Sequence, residues 1–194
     1  TARRTCFAAT DNYHGGALAA QRMGDLLGGK GKIVVVKYVP GSDSTTQREN
    51  GFLETIAKEF PGITVVDAKY GQDTVETALQ ATEDLLTRHP DLQGLFACNA
   101  STSVGALQAL QSQRRNEVKM IGFDAEAALV NGLKAGQIQA LVVQNPYRMG
   151  YEGVKAAIAA SRGETVPQQI DTGVELVSRD NLDQPEIQAL LGTQ

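Results

Sequence analysis

The sequence predicts a doubly wound α/β fold, a parallel sheet covered by helices on both faces. Three features point there. Short β-rich runs alternate with amphipathic stretches along all 194 residues. The β-rich runs are apolar along most of their length instead of alternating, as strands buried on both faces require. Ala, Gly, Leu and Val are plentiful, aromatic residues make up only 5% and tryptophan is absent, a composition suited to close helix-on-sheet packing.

Taken in order, the first strand is "TCFAAT" (5–10), followed by a helical pattern over about 13–27. "KIVVVKY" (32–38) leads into a helix over 45–60, and "ITVVDAKY" (63–70) into one over 73–88. "LQGLFACN" (92–99) precedes a helix over 101–114, and "VKMIGFD" (118–124) one over 125–136. "QALVVQN" (139–145) precedes a helix over 147–162, and "GVELV" (173–177) is the last strand. Several helices open on capping residues such as Asp73 or Ser101 and close at Gly or Pro. Cys6 and Cys98 both fall in apolar strand runs, where a free cysteine acts as a small buried hydrophobe. No internal repeat, low-complexity segment or linker interrupts the pattern.

Composition excludes several classes. The net charge is −4, and Lys and Arg are scattered, so no footprint for nucleic acid or an anionic membrane exists. No apolar run is long enough to span a bilayer. The start, "TARRTC", lacks an initiator Met and the apolar core of a signal peptide, so the chain reads as a piece of a longer protein. His14 and His89 have no Cys or carboxylate at ligand spacing, and neither suits a catalytic triad, so no metal is expected. The glycines of "LLGGKGKIVVV" precede a strand, whereas a phosphate-cradling loop follows one and opens a helix. The chain therefore reads as a non-enzyme without a cofactor.

In open parallel sheets ligands meet the carboxyl ends of the strands, where loops converge and helix N-termini present unpaired N–H groups. There the sequence places Arg48, in the first turn of the helix after "VPGSDSTT", then Tyr70, Asn99, Asp124 and Gln144. Each has a plain structural reading. Asn99 and Asp124 could cap the following helices, Arg48 could pair with Glu49 or Glu54 on the surface, Tyr70 could be a core-edge aromatic and Gln144 a solvated strand end. As a set they suit a small neutral polyol. Arg and Asp make charge-assisted bonds to hydroxyls, Asn and Gln offer a donor and an acceptor each, and Tyr supplies a flat apolar face.

The stretches "AATDNYHGG", "STTQRENGF", "DAKYGQD", "LFACNASTSVGAL", "IGFDA" and "VVQNPYRMGYEGVKA" resemble the carboxy-terminal two-thirds of type I periplasmic sugar-binding proteins, with ribose binders nearest in pattern. The resemblance covers almost the whole chain. It implies a ligand held between two hinged α/β lobes, with Arg48 and Asp124 on sugar hydroxyls and the ring oxygen. Asn99 and Gln144 would bind further hydroxyls, and Tyr70 would pack on the sugar face, where ribose binders generally carry phenylalanine. Residues 11–145 with 172–194 would form the carboxy lobe, while 1–10 and 146–171 would be crossing segments and remnants of the amino lobe. Thr10 and Asp11, Asn145 and Pro146, and Thr172 and Gly173 would be the hinge. An amino lobe of roughly a hundred residues would supply the other wall and cover Val154, Ala157 and Ile158. The implied partners are a monosaccharide, the absent amino lobe and the membrane permease of an ABC transporter, with location in the periplasm or on an extracellular lipoprotein. The alternative is the effector-sensing part of a cytoplasmic lac-repressor-type regulator, which shares the fold. A leader or a helix-turn-helix before Thr1 would separate the two.

Overall fold

The computed structural model describes residues 5–192, so the first four residues of the 1–10 segment and the last two of the 172–194 segment lie outside it. The chain order is β1 (Phe7–Ala9), α1 (Asn12–Leu27), β2 (Lys30–Lys37), α2 (Asp43–Glu59), β3 (Gly62–Tyr70), α3 (Val75–Arg88) and β4 (Gly94–Ala97). There follow α4 (Ala100–Ser112), β5 (Lys119–Phe123), α5 (Ala127–Lys134), β6 (Ala140–Gln144), α6 (Pro146–Ser161), β7 (Gln169–Asp171), β8 (Val174–Val177) and α7 (Pro185–Leu191). The expected βα alternation is present, and α7 is an addition that the tail's sequence pattern did not reveal.

Six strands form one sheet in the order β3-β2-β4-β5-β6-β8, and β1 pairs with β7. The chain moves from β2 outward to β3 and then returns past β2 to β4, so the winding reverses between β2 and β4. That reversal is the switch point at which doubly wound sheets open a crevice. Only β8 departs from the parallel expectation. Gln144, the last residue of β6, lies opposite Val174, the first of β8, so the chain leaves and re-enters the sheet at the same rim and β8 must run antiparallel.

Period-two alternation divides β2 between two cores. Ile33 and Val35 face α1 and α2 with Phe52, Phe96 and Phe123, while Val34 and Val36 face α3 and α4 with Leu85, Leu107 and Met120. Phe52 stacks on Phe96 with ring centroids 4.3 Å apart. Helices α1 and α2 touch backbone to backbone. A Cβ on Gly16 would lie 2.0 Å from the Arg48 carbonyl oxygen, and one on Gly51 would lie 2.1 Å from that of Tyr13. This close approach fixes the turn of α2 that carries Arg48.

Local details differ from the sequence reading in four places. Arg48 is in the second turn of α2, because the helix begins at Asp43. Thr74 caps α3 and Asn99 caps α4, in place of Asp73 and Ser101. The first and fourth strands are shorter than expected, at Phe7–Ala9 and Gly94–Ala97. Cys98 is fully buried, but Cys6 is only half-buried because β1 has a single neighbouring strand to cover it.

β1, β7 and α6 stand apart from the six-stranded sheet and join it at three points, Thr10–Asp11, Asn145–Pro146 and Thr172–Gly173. α6 buries only Ala156. Its Tyr147, Tyr151, Val154 and Ile158 are exposed and line a concavity of about 850 Å³.

Candidate ligand-binding site

The carboxyl ends of β2 to β6 form one rim over the switch point. Arg48 reaches it from α2 and is 95% buried, with 5% of its surface exposed. Its Nε donates to Asn12 Oδ1 at 2.9 Å and Nη1 donates to the Cys98 carbonyl at 3.0 Å. The guanidinium carbon lies 3.8 Å from the Phe123 ring centroid, a stacked geometry natural to a planar cation. Burial lowers its pKa from the ordinary value, and the Asp124 carboxylate opposes that effect. Arg48 is thus a buried rim residue and forms no surface pair with Glu49 or Glu54.

Asp124, just past β5, has φ 71°, in the left-handed region that Asp tolerates better than most side chains. Its backbone N–H donates to the Val142 carbonyl at 2.8 Å. Its Oδ2 accepts from the Ala100 N–H at 3.0 Å, and its Oδ1 accepts from Gln144 Nε2 at 2.6 Å. The carboxylate therefore sits at the N-terminus of α4, where the helix dipole favours negative charge. It caps a neighbouring helix, since α5 has Glu126 at its N-cap.

Asn99 does act as a helix cap. Its Oδ1 accepts from the Thr102 N–H at 3.2 Å, and Thr102 Oγ1 accepts from the Asn99 N–H at 3.1 Å, completing a capping box. Its Nδ2 donates to Ser101 Oγ at a longer 3.3 Å. Gln144 and Asp124 line a concavity of about 370 Å³ with Ala100, Glu126 and Leu190. Arg48, Asp124 and Gln144 are therefore one bonded or electrostatically linked group, and Asn99 stands beside it at the start of α4. Tyr70 stands to one side, 39% exposed, and touches Lys37 instead of that group.

Sequence reasoning overlooked Asn12, Lys37, Glu49 and Phe123. Lys37 and Phe123 each end a strand, so the rule that selected the other rim residues also covers them. Asn12 Nδ2 donates to the Thr10 carbonyl at 3.1 Å while its Oδ1 holds Arg48, which ties the junction between β1 and α1 to the rim. Asp171 links two of the three junctions with the main sheet, its Oδ1 accepting from the N–H groups of Asp11 and Gly173. Gly173 has φ 83°, a conformation suited to glycine. Asn145 caps α6 through the Arg148 N–H at 2.8 Å, with Pro146 in its first turn. Thr10 and Thr172 are buried there, and neither hydroxyl has a hydrogen-bond partner among the described residues.

An open α/β sheet that gathers a buried guanidinium, a carboxylate and two carboxamides at its switch-point rim has the layout of a small-molecule binding domain. The chain belongs to the periplasmic binding protein domain family, whose model matches residues 1–165. It is 31% identical over 168 residues to the ribose import binding protein of Bacillus subtilis, covering 87% of this chain and 54% of that one. It is 29% identical over 170 residues to the same-named protein of Escherichia coli, covering 87% and 56%. Among solved structures it superposes with TM-score 0.91 and 39% identity on a carbohydrate transporter solute-binding protein from Agrobacterium radiobacter in complex with D-arabinose, covering 96% of this chain and 65% of that one. An Agrobacterium vitis solute-binding protein bound to α-D-tagatopyranose gives TM-score 0.92 and 32% identity, covering 96% and 63%. The chain thus spans about half the length of these curated relatives and under two-thirds of these solved chains. No helix among the described residues is long and apolar enough to cross a membrane.

Proposed function

We propose that the chain is the carboxy-terminal part of a solute-binding protein that captures a small monosaccharide and delivers it to an ABC transporter permease. The observation that carries this reading is the group formed by Arg48, Asp124 and Gln144 over the switch point, with Asn99 beside it. Its chemistry suits a neutral polyol, and the matched relatives are named as ribose import proteins or hold arabinose or tagatose. Those names favour transport over a transcription regulator, and they favour binding without chemical conversion. In this reading Arg48 Nη2 and the Asp124 carboxylate bind hydroxyls and the ring oxygen, Asn99 Nδ2 and Gln144 bind further hydroxyls, and Tyr70 packs on an apolar sugar face. Location would be periplasmic or on a surface lipoprotein.

Residues 11–145 with 172–194 would be one lobe, and β1, β7 and α6 would belong to a second lobe supplied by the same protein. The three crossings would then be hinges that close the lobes on the sugar by small dihedral changes. The supporting feature is the exposed face of Tyr147, Tyr151, Val154 and Ile158, a patch of the kind a missing layer covers.

The test is calorimetry of the intact protein against a panel of aldoses and ketoses. We expect binding of at least one pentose or closely related sugar, and a loss of roughly 2 to 4 kcal/mol in Asp124→Ala, which removes an acceptor shared by Gln144 and a ligand. Absence of binding to every sugar would falsify the reading.

A further inference from the structure

At the β2–β3 end of the rim, a second polar cluster lies on the same sheet face as Arg48. Lys37 ends β2 and stands opposite Tyr70, the last residue of β3. Its Nζ donates to the Tyr70 hydroxyl at 3.2 Å and lies 4.6 Å from the centre of the Tyr70 ring. The same ammonium is paired with Glu49 Oε2 at 2.9 Å. Glu49 is 97% buried, with 3% exposed, and its Oε1 accepts from the Tyr38 N–H at 3.4 Å and from Cys98 Sγ at 3.7 Å.

A carboxylate this deep is stable only when paired, so Glu49 commits Lys37 to one position. Lys37 in turn donates to the hydroxyl of Tyr70, the most exposed side chain of the rim. Without that link a tyrosine at a strand end has two free side-chain torsions. Burial is the largest influence on the Lys37 pKa and works to lower it, but the bonds to Glu49 and Tyr70 together raise it above its ordinary value. The ammonium therefore keeps its charge, and its hydrogen bonds, at neutral pH.

We propose that Lys37, held by Glu49, is a positioning residue that fixes the Tyr70 ring for ligand packing. Glu49 follows Arg48 directly in α2, and both residues contact Cys98, one at its carbonyl and the other at its thiol. The aromatic platform and the hydroxyl-binding guanidinium are thus set by one turn of one helix. This inference rests on the sugar-binding reading of the rim.

The test compares the intact protein with the paired variant Lys37→Met/Glu49→Gln, which removes both charges and leaves neither unpaired. Tyr70→Phe and the combination of all three changes complete the cycle. With D-arabinose and D-ribose as probes, the paired variant should bind about tenfold more weakly, about 1.4 kcal/mol. In the Tyr70→Phe background the same change should cost much less, because the hydroxyl through which Lys37 acts is gone. Unchanged affinity in the paired variant, with only a lower melting temperature, would show a purely structural ion pair and overturn the proposal. Fully additive losses would also overturn it. A second measurement needs no sugar: in NMR spectra of the 194-residue chain, the Tyr70 ring should occupy one rotamer, and it should average between rotamers in the paired variant. If the wild type binds neither sugar, the sugar-binding reading is in trouble, while the ring measurement still decides whether Lys37 holds Tyr70. A ring equally ordered in both forms sinks the proposal.

Discussion

Helices α1 and α6 have the same length, 16 residues, and similar local signals. Asp11 caps the first through the His14 N–H, and Asn145 caps the second through the Arg148 N–H with Pro146 in its first turn. Their fates in the fold differ. α1 buries seven residues against the sheet and α2, whereas α6 buries only Ala156 and presents two tyrosines, a valine and an isoleucine to the outside. Capping and amphipathic spacing therefore determine that a helix forms and which face is apolar. What covers that face is a matter of tertiary partners, and in α1 the partner is a second helix close enough to exclude a single methyl group at Gly16.

Truncating the packed side should produce the largest effect. Phe52→Ala removes a fully buried ring stacked on Phe96, and we expect a loss of about 3 to 5 kcal/mol in urea unfolding. Tyr151→Ala on α6 should change stability by no more than about 0.5 kcal/mol. An equally costly Tyr151→Ala would mean that α6 is covered in solution and would erase the contrast.

Glycines sharpen the comparison at the level of one methyl group. Gly16→Ala in α1 should destabilise by about 3 kcal/mol, because the new Cβ meets the rigid Arg48 carbonyl. Gly150→Ala in α6 meets nothing within 4 Å and should stabilise by about 0.5 to 1 kcal/mol through helix propensity alone. Matching signs for the two substitutions would contradict the packing described here.

The mildest probe leaves stability untouched. Burial pushes the Cys98 thiol up to about 12, while Cys6 beside the small sheet is half-buried. A thiol reagent at pH 8 should therefore modify Cys6 and spare Cys98 until the chain unfolds. Rapid modification of both would show that the rim side of the main sheet opens readily.

The sheet was legible because its strands are buried on two faces and written as continuous apolar runs such as "KIVVV". β8 was found, but its direction was not, since direction depends on where the chain re-enters the sheet and no local pattern encodes that. The rim residues were found by reading strand ends. Their division of labour was hidden, because Asn99 and Asp124 turn out to cap α4 together, a partnership between positions 25 residues apart that only packing creates. Lys37 was passed over inside its strand run and Glu49 was read only as a surface partner for Arg48; the packing of α2 against β2 is what joins a part-buried ammonium to a buried carboxylate. Cys6 misled for the opposite reason: an apolar neighbourhood in sequence carried no information about how many strands would cover it.

The central claim is that a sugar is bound at the carboxyl-end rim between β2 and β6, with a second wall supplied from outside residues 1–194. NMR titration of this chain with D-arabinose, beside calorimetry of the intact protein, tests both parts. Shifts should be concentrated at Arg48, Tyr70, Asn99, Asp124 and Gln144, with affinity at least about a hundredfold below that of the intact protein, equivalent to roughly 2.7 kcal/mol. Shifts centred on α6, or native-like affinity in this chain alone, would contradict the account.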